Sequence, residues 1–88
     1  MNLREQAEKL IQQENHPEAV RLLSKHLDRE PEDPKALFLL GYCFMKSDSP
    51  GIALNVFQRA GHIFPSEAAV WHNIGKLYHD LNNDIKAD

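Results

Sequence analysis

The stretch from Leu37 to Pro65 reads LFLLGYCFMKSDSPGIALNVFQRAGHIFP and predicts a pair of helices joined by a short turn. Its first half places apolar or small residues at the i, i+3, i+4 and i+7 spacing of one helix face: Leu37, Leu40, Gly41 and Phe44. Its second half has a face of the same kind: Ala53, Phe57 and Ala60. Between the halves, Ser49 is expected to cap a helix that Pro50 begins. Helices joined by so short a loop must be antiparallel.

The same pattern recurs along the chain with a shift of 34 residues. The aligned sets are Leu3, Leu37 and Trp71; Ala7, Gly41 and Gly75; Leu10, Phe44 and Tyr78; Ala19, Ala53 and Ala87; Leu23 and Phe57; Pro31 and Pro65. A fixed period of about 20 to 50 residues indicates a stack of repeated units. A mid-helix glycine costs about 1 kcal/mol relative to alanine. We therefore expect Gly41 and Gly75 to permit close helix packing, with Phe57, Trp71 and Tyr78 filling the space beside small residues.

The repeated residues resemble the tetratricopeptide repeat family. The last repeat begins Trp71-x-x-Ile74-Gly75-x-x-Tyr78, and the middle repeat contains Ala53-x-x-x-Phe57-x-x-Ala60 before Pro65. The family pattern is an aromatic, a small residue, a second aromatic, an Ala, a Phe and a closing Pro over about 34 residues. The first repeat departs from it, because Gln6 and His26 occupy positions that are usually apolar or small. The resemblance implies an all-α, antiparallel helix-turn-helix stack, a short right-handed solenoid that presents a groove to another protein.

Helix-breaking residues predict five helices, at roughly 2–14, 17–29, 34–47, 50–63 and 67–81, and an incomplete sixth from about residue 84. Asp33 is expected to cap the third helix, which Pro34 begins. The segment Asn82-Asn83-Asp84 is expected to end the fifth. At 88 residues the chain is predicted to be one domain, residues 1–88, with repeats at about 1–33 and 34–67 and a truncated repeat at 68–88.

Composition excludes several classes of partner. The net charge is −3 with acidic and basic residues interleaved, whereas nucleic-acid binding needs a clustered basic surface. Long apolar runs such as 36–42 fall far short of the roughly 20 residues of a membrane span. The N-terminus is charged and has no signal segment, and one cysteine fits a reducing compartment. We expect a cytoplasmic protein that binds a protein or peptide, and neither nucleic acid nor a membrane.

A second stripe on the third helix, Phe38, Tyr42 and Met45, is not needed for packing between repeats. In the family, the first helix of each pair lines the concave face, and residues offset in this way point into the groove. The equivalent positions at either end carry charged or polar residues, which predicts an apolar centre with a polar rim. The predicted groove comprises Arg4, Glu8, Phe38, Tyr42, Met45, His72, Asn73, Lys76 and His79. Alternatively, the stripe is buried against a neighbouring chain or is an ordinary half-exposed face.

Three narrower functions are not supported by the residues present. The family's clamp for chaperone C-terminal carboxylates is mostly absent, because its positions hold Arg4, Glu8, Leu39, Ala69 and Asn73. His72 and His79 are seven residues apart, whereas zinc ligands on a helix are normally about three or four apart. Cys43 lacks a positioned base and fits a small apolar core residue. No catalytic residue, metal site or cofactor is predicted.

The repeat register stops at Ala87, before the aromatic residue that would follow in the pattern. An uncovered helix would expose Leu77, Tyr78 and Leu81, and such a patch marks an interface or an aggregation site. Either the chain is the N-terminal piece of a longer protein or a second copy covers this end. Both readings predict self-association of the isolated chain. The predicted function is a protein-interaction module; the alternatives are a recruiting or dimerising segment of a larger enzyme and a structural spacer.

Overall fold

The computed structural model describes residues 2–86, which form five α-helices and no strand. The helices are α1 (Leu3–Gln12), α2 (His16–Arg29), α3 (Pro34–Lys46), α4 (Pro50–Ile63) and α5 (Ala68–Lys86). The five full helices that were predicted are present, and all five begin within one residue of the expected position. The all-α repeat fold is therefore confirmed.

Proline and short polar side chains define where the helices begin. Asp33 caps α3, because its carboxylate accepts hydrogen bonds from the backbone N–H groups of Lys35 and Ala36. Asn2 caps α1 by accepting from the N–H of Glu5. Ser49 occupies the cap position of α4 but its side chain makes no capping hydrogen bond. The predicted cap at Asp33 is thus confirmed, whereas the predicted cap at Ser49 is not formed and α4 begins with Pro50, whose fixed φ suits the first turn of a helix.

The turns after α1 and α3 share one backbone conformation. Glu14 has φ 59° and Asp48 has φ 60°, and these two residues are 34 positions apart. In each turn the next residue donates a hydrogen bond back into the helix, from Asn15 N–H to Leu10 O (2.8 Å) and from Ser49 N–H to Phe44 O (2.9 Å). A left-handed residue followed by such a bond is a common way to end a helix. The repeat therefore extends from side chains to backbone geometry.

Consecutive helices pack on one another, and the core runs along the stack between them. The most buried large side chains are Phe57, Leu23, Leu37, Leu77 and Val70. Phe57 lies against Gly41 so closely that a Cβ added there would be 2.8 Å from its ring. Its ring also meets Phe38 edge-on, with the centroids 5.6 Å apart. The expected role of Gly41 in close helix packing is confirmed.

The C-terminal end differs from the prediction. α5 continues without interruption to Lys86, so residues 82–84 do not end a helix and no separate sixth helix begins near 84. Asparagine and aspartate cost less than about 0.7 kcal/mol each in a helix, and neither Gly nor Pro follows them before residue 87. The register position Ala87 lies outside the described residues.

The outer face of α5 differs from the matching face of α3: Trp71 packs beside Gly61 as a ring beside a small residue, but it is not enclosed. Trp71 and Tyr78 are each 47% exposed, although Leu37, the counterpart of Trp71, is only 1% exposed. A Cβ added at Gly75 would meet nothing within 4 Å. The reason is geometric: α4 covers this face of α3, and no described helix covers it on α5.

Candidate functional site

A shallow apolar depression lies between the N-terminal ends of α3 and α5. Its volume is about 300 Å³, and its lining is Pro34, Lys35, Phe38, Glu67, Ala69 and Val70. Phe38 is half-buried, because one edge of its ring packs on Phe57. Lys35 and Glu67 supply charges of opposite sign beside the apolar lining. The structure therefore places Phe38 in a surface that can accept an apolar side chain.

Tyr42 lies in a different depression, near the C-terminal ends of α1 and α3. Its ring meets His16 edge-on at a centroid separation of 6.4 Å, and the Lys46 ammonium lies 5.6 Å from the centroid. This depression is about 490 Å³, and its lining is Ile11, Gln12, Gln13, Glu14, His16, Tyr42 and Lys46. Met45 is half-buried and packs against the core. Phe38, Tyr42 and Met45 thus share a helix but not one pocket.

Two of the predicted groove residues are engaged within the chain. Arg4 Nη1 donates to Asp33 Oδ2 at 2.9 Å, and Lys35 Nζ lies 3.0 Å from Glu8 Oε1. These ion pairs join α1 to the beginning of α3. Arg4 and Glu8 are therefore less available to a ligand than His72 and Lys76, which are exposed on α5.

The predicted residues of α5 lie on several of its faces. His72, Lys76 and His79 are exposed, and Asn73 is half-buried. Leu77, expected on an uncovered end, is only 2% exposed, because it points into the core beside Val70 and Ile74. Tyr78 is exposed as expected, with its hydroxyl accepting a hydrogen bond from Gln58 Nε2 at 2.7 Å, and Leu81 is half-buried.

A partly buried polar network joins the first three helices, and sequence reasoning missed it. His26 Nε2 donates to Asp33 Oδ2 at 2.7 Å, and the same oxygen accepts from Arg4. Their side chains are only 12% (His26) and 11% (Asp33) exposed. The signal for it was the register, which places His26 where the next repeat has Ala60, 1% exposed. A polar ring at a core position requires a hydrogen-bond partner.

The same network brings three potential metal ligands together, with atoms of His26, Glu30 and Asp33 within 4.8 Å of one another. However, the Asp33 oxygen that would face an ion already accepts hydrogen bonds from Arg4 and His26. A cation there would have to displace a guanidinium. The arrangement is that of a structural hydrogen-bond network, and the carboxylate charge is balanced by Arg4.

Asp33 makes stability depend on pH in the acid range. Burial by itself raises the pKa of this carboxyl, but hydrogen bonds from His26, Arg4 and the Ala36 N–H outweigh it and hold the pKa below its ordinary value. A carboxyl whose pKa is depressed by folding stabilises the fold above its unfolded pKa of about 3.9, and this stabilisation is lost as pH falls through the folded pKa.

We expect Asp33→Asn to destabilise the chain by about 1–2 kcal/mol at pH 7, because Asn still caps the helix but accepts less strongly from Arg4 and His26. The penalty should begin to shrink as pH falls below about 4, where the unfolded chain binds a proton at this carboxyl, and should disappear below the lower folded pKa, where the folded carboxyl is protonated as well. Urea denaturation at several pH values measures this. Asp28→Asn, at an exposed aspartate on α2, is the matched control. A penalty that does not change with pH would contradict the role of the charge.

Cys43 is fully buried in α3, and burial raises the pKa of its thiol to about 11. A nucleophilic cysteine needs a thiolate and an accessible position. At neutral pH this thiol is protonated and enclosed by the core. The structure therefore places Cys43 as a small packing residue.

Comparison with known proteins supports the repeat assignment. The tetratricopeptide repeat family profile matches residues 10–77. Intraflagellar transport proteins 70A of Homo sapiens and 70B of Bos taurus are each 33% identical over 57 residues, which is 65% of this chain and 9% of theirs. Within residues 2–86, no helix is both long and apolar enough to cross a membrane. Stacks of such repeats generally present a binding surface to other proteins. The chain belongs to the tetratricopeptide repeat family.

Proposed function

We propose that this chain is a non-catalytic protein-interaction module that binds a peptide or helix of another protein along the α3–α5 groove. The observation that supports it is the Phe38 depression, whose lining is partly apolar and flanked by charges of both signs. An apolar centre with a polar rim is the usual composition of a protein-binding surface. The proposed ligand therefore carries an apolar anchor next to at least one charged residue.

The groove continues along α5 over a more polar surface. His72, Lys76, His79 and Asp80 are exposed on this helix, so it offers a ligand hydrogen-bonding groups and one charge of each sign, from Lys76 and Asp80. Arg4 and Glu8 pair with residues of the chain itself. We therefore expect contacts with Phe38 and its neighbours to supply most of the binding free energy, and contacts with α5 to orient the ligand.

Tyr42 is proposed as a second contact and not as the central anchor. Its ring already packs against His16 and lies beneath the Lys46 ammonium, in a depression with a largely polar lining. A long ligand that followed α3 from Phe38 would reach it about one helical turn later. Tyr42→Ala should then weaken binding less than a substitution that fills the Phe38 depression.

The test uses peptides selected by phage display on the intact chain, with affinities measured by fluorescence anisotropy. Ala69 is exposed and lines the Phe38 depression, so Ala69→Glu should block it without disturbing the core. We expect Ala69→Glu to weaken binding at least tenfold, about 1.4 kcal/mol. The expected consensus of the selected peptides is one large apolar residue.

Ala68→Glu is the matched control, because it makes the same change one residue earlier, at an exposed position outside the lining of the depression. It should leave peptide binding unchanged. Equal binding by the wild type and Ala69→Glu would show that the ligand occupies another surface. Selection of no peptide by the folded chain would favour a structural spacer.

A further inference from the structure

The outer face of α5 is an exposed apolar surface separate from the α3–α5 groove. We propose that it binds a second copy of this chain, forming a two-fold symmetric, antiparallel pair of α5 helices. In this pair, Trp71 of each copy packs on Gly75 of the other. The proposed partner is thus this chain itself, and the proposal does not depend on the groove.

The exposure of this face supports an interaction surface. Among residues 2–82, Trp71 and Tyr78 are two of the three exposed large hydrophobic residues. One side of the Trp71 ring lies on Gly61, and its indole N–H donates to the Pro65 carbonyl at 2.7 Å. The ring is therefore held in place while 47% of the residue stays exposed. An anchored aromatic side chain loses little conformational freedom on binding.

The contact between α3 and α4 shows what packs against a glycine at the repeat position of Gly75. Gly41 and Gly75 are 34 residues apart and occupy the same register. At Gly41 the Phe57 ring lies so close that a Cβ would be 2.8 Å from it, whereas the space above Gly75 is empty. A glycine in this register can therefore accept an aromatic ring from a neighbouring helix.

The sequence of α5 is complementary to itself. Residues 68, 71, 75 and 78 lie on one helix face, and they alternate in size: Ala68, Trp71, Gly75 and Tyr78. A two-fold axis at the level of residue 73 places residue 71 opposite 75 and residue 68 opposite 78. Both aromatic residues of each copy then face a small residue of the other, over about 15 Å of helix.

The other candidate to cover the outer face of α5 is a helix with the sequence pattern of α4. A second copy cannot donate its own α4, since Ala53 and Phe57 are 0% exposed and Ala60 is 1% exposed in the folded chain. No other helix within residues 2–86 covers the α5 face. Because the contact spans only three turns of helix, the dimer is expected to be weak and concentration-dependent.

The test is sedimentation equilibrium of the whole chain from about 1 µM to about 1 mM, the range of weak association. The mass should rise from 10.1 kDa towards twice that value. Trp71 is the single tryptophan of the chain, so its emission should shift to shorter wavelength over the same range as it becomes buried. Gly75→Leu fills the space above Gly75 and should weaken the dimer at least tenfold.

Gly51→Leu is the matched control, because Gly51 also has nothing within 4 Å of an added Cβ. It should leave association unchanged, as should Ala69→Glu, while Ala68→Glu should weaken it. A chain that stays at 10.1 kDa throughout would overturn the proposal. Association that Gly75→Leu does not affect would also overturn it. So would binding of a monomeric chain by a synthetic peptide of α4 sequence, with a blue shift of Trp71.

Discussion

Replacing Phe57 with alanine is expected to destabilise the chain by about 3–5 kcal/mol, the usual cost of deleting a buried aromatic ring. Phe57 is 0% exposed and is the largest fully buried side chain among the described residues. Its ring covers Gly41 and meets Phe38 edge-on at 5.6 Å. Truncation would therefore leave a cavity between α3 and α4 and remove the support beneath Phe38. A chain of 88 residues is stable by about 4–13 kcal/mol, so this loss is a large fraction of the total.

Urea denaturation followed by far-ultraviolet circular dichroism measures this effect. The control is Ile52→Ala on the same helix, where the side chain is 52% exposed and the change should stay within about 0.5 kcal/mol. A loss below about 1.5 kcal/mol for Phe57→Ala would mean that the neighbouring helices collapse into the space. The ring would then not be the main contact between α3 and α4.

Gly41→Ala and Gly75→Ala are expected to change stability in opposite directions. Both substitutions gain about 1 kcal/mol from the higher helix propensity of alanine. At Gly41 the new methyl group would lie 2.8 Å from a buried ring that packs on Phe38, and such overpacking costs about 1–3 kcal/mol. At Gly75 the methyl group meets nothing within 4 Å, so the gain is retained.

We therefore expect Gly41→Ala to leave the chain up to about 2 kcal/mol less stable, and Gly75→Ala to make it about 1 kcal/mol more stable. The propensity term cancels in the difference between the two variants, which isolates the cost of crowding Phe57. The measurements belong at a concentration where the chain is monomeric, because Gly75→Ala should also weaken the proposed dimer. Stabilisation by both substitutions would show that the Phe57 ring moves aside freely.

Much of the helical architecture could be predicted because its signals are local. The starts of α3 and α4 follow from Pro34 and Pro50, and the cap of α3 follows from Asp33. The end of α5 could not be predicted in the same way. Residues 82–84 are only weakly unfavourable in a helix, and small penalties of this kind are outweighed by the helix that precedes them.

The candidate surfaces were predicted less completely, because aligning a residue with a repeat position does not reveal which residues pack against it in the fold. Trp71 matches Leu37, which is 1% exposed, yet Trp71 itself is 47% exposed. Phe38 and Tyr42 lie on one predicted stripe but line separate depressions. Arg4 was predicted to face a ligand, and the structure shows that it also donates to Asp33, a partner that the sequence did not indicate. Each difference depends on a neighbour that lies far away along the chain.

The sequence by itself determined the repeat period, the helix boundaries set by proline, and the residues that alternate between large and small. These features are local or periodic, so they can be read directly from the linear amino-acid sequence. Only the tertiary structure decided that Gly41 is filled by Phe57 while Gly75 is open, and that His26, Arg4 and Asp33 meet. Identical positions in two repeats acquire different environments because α3 has a helix packed on its outer face and α5, within the described residues, has none.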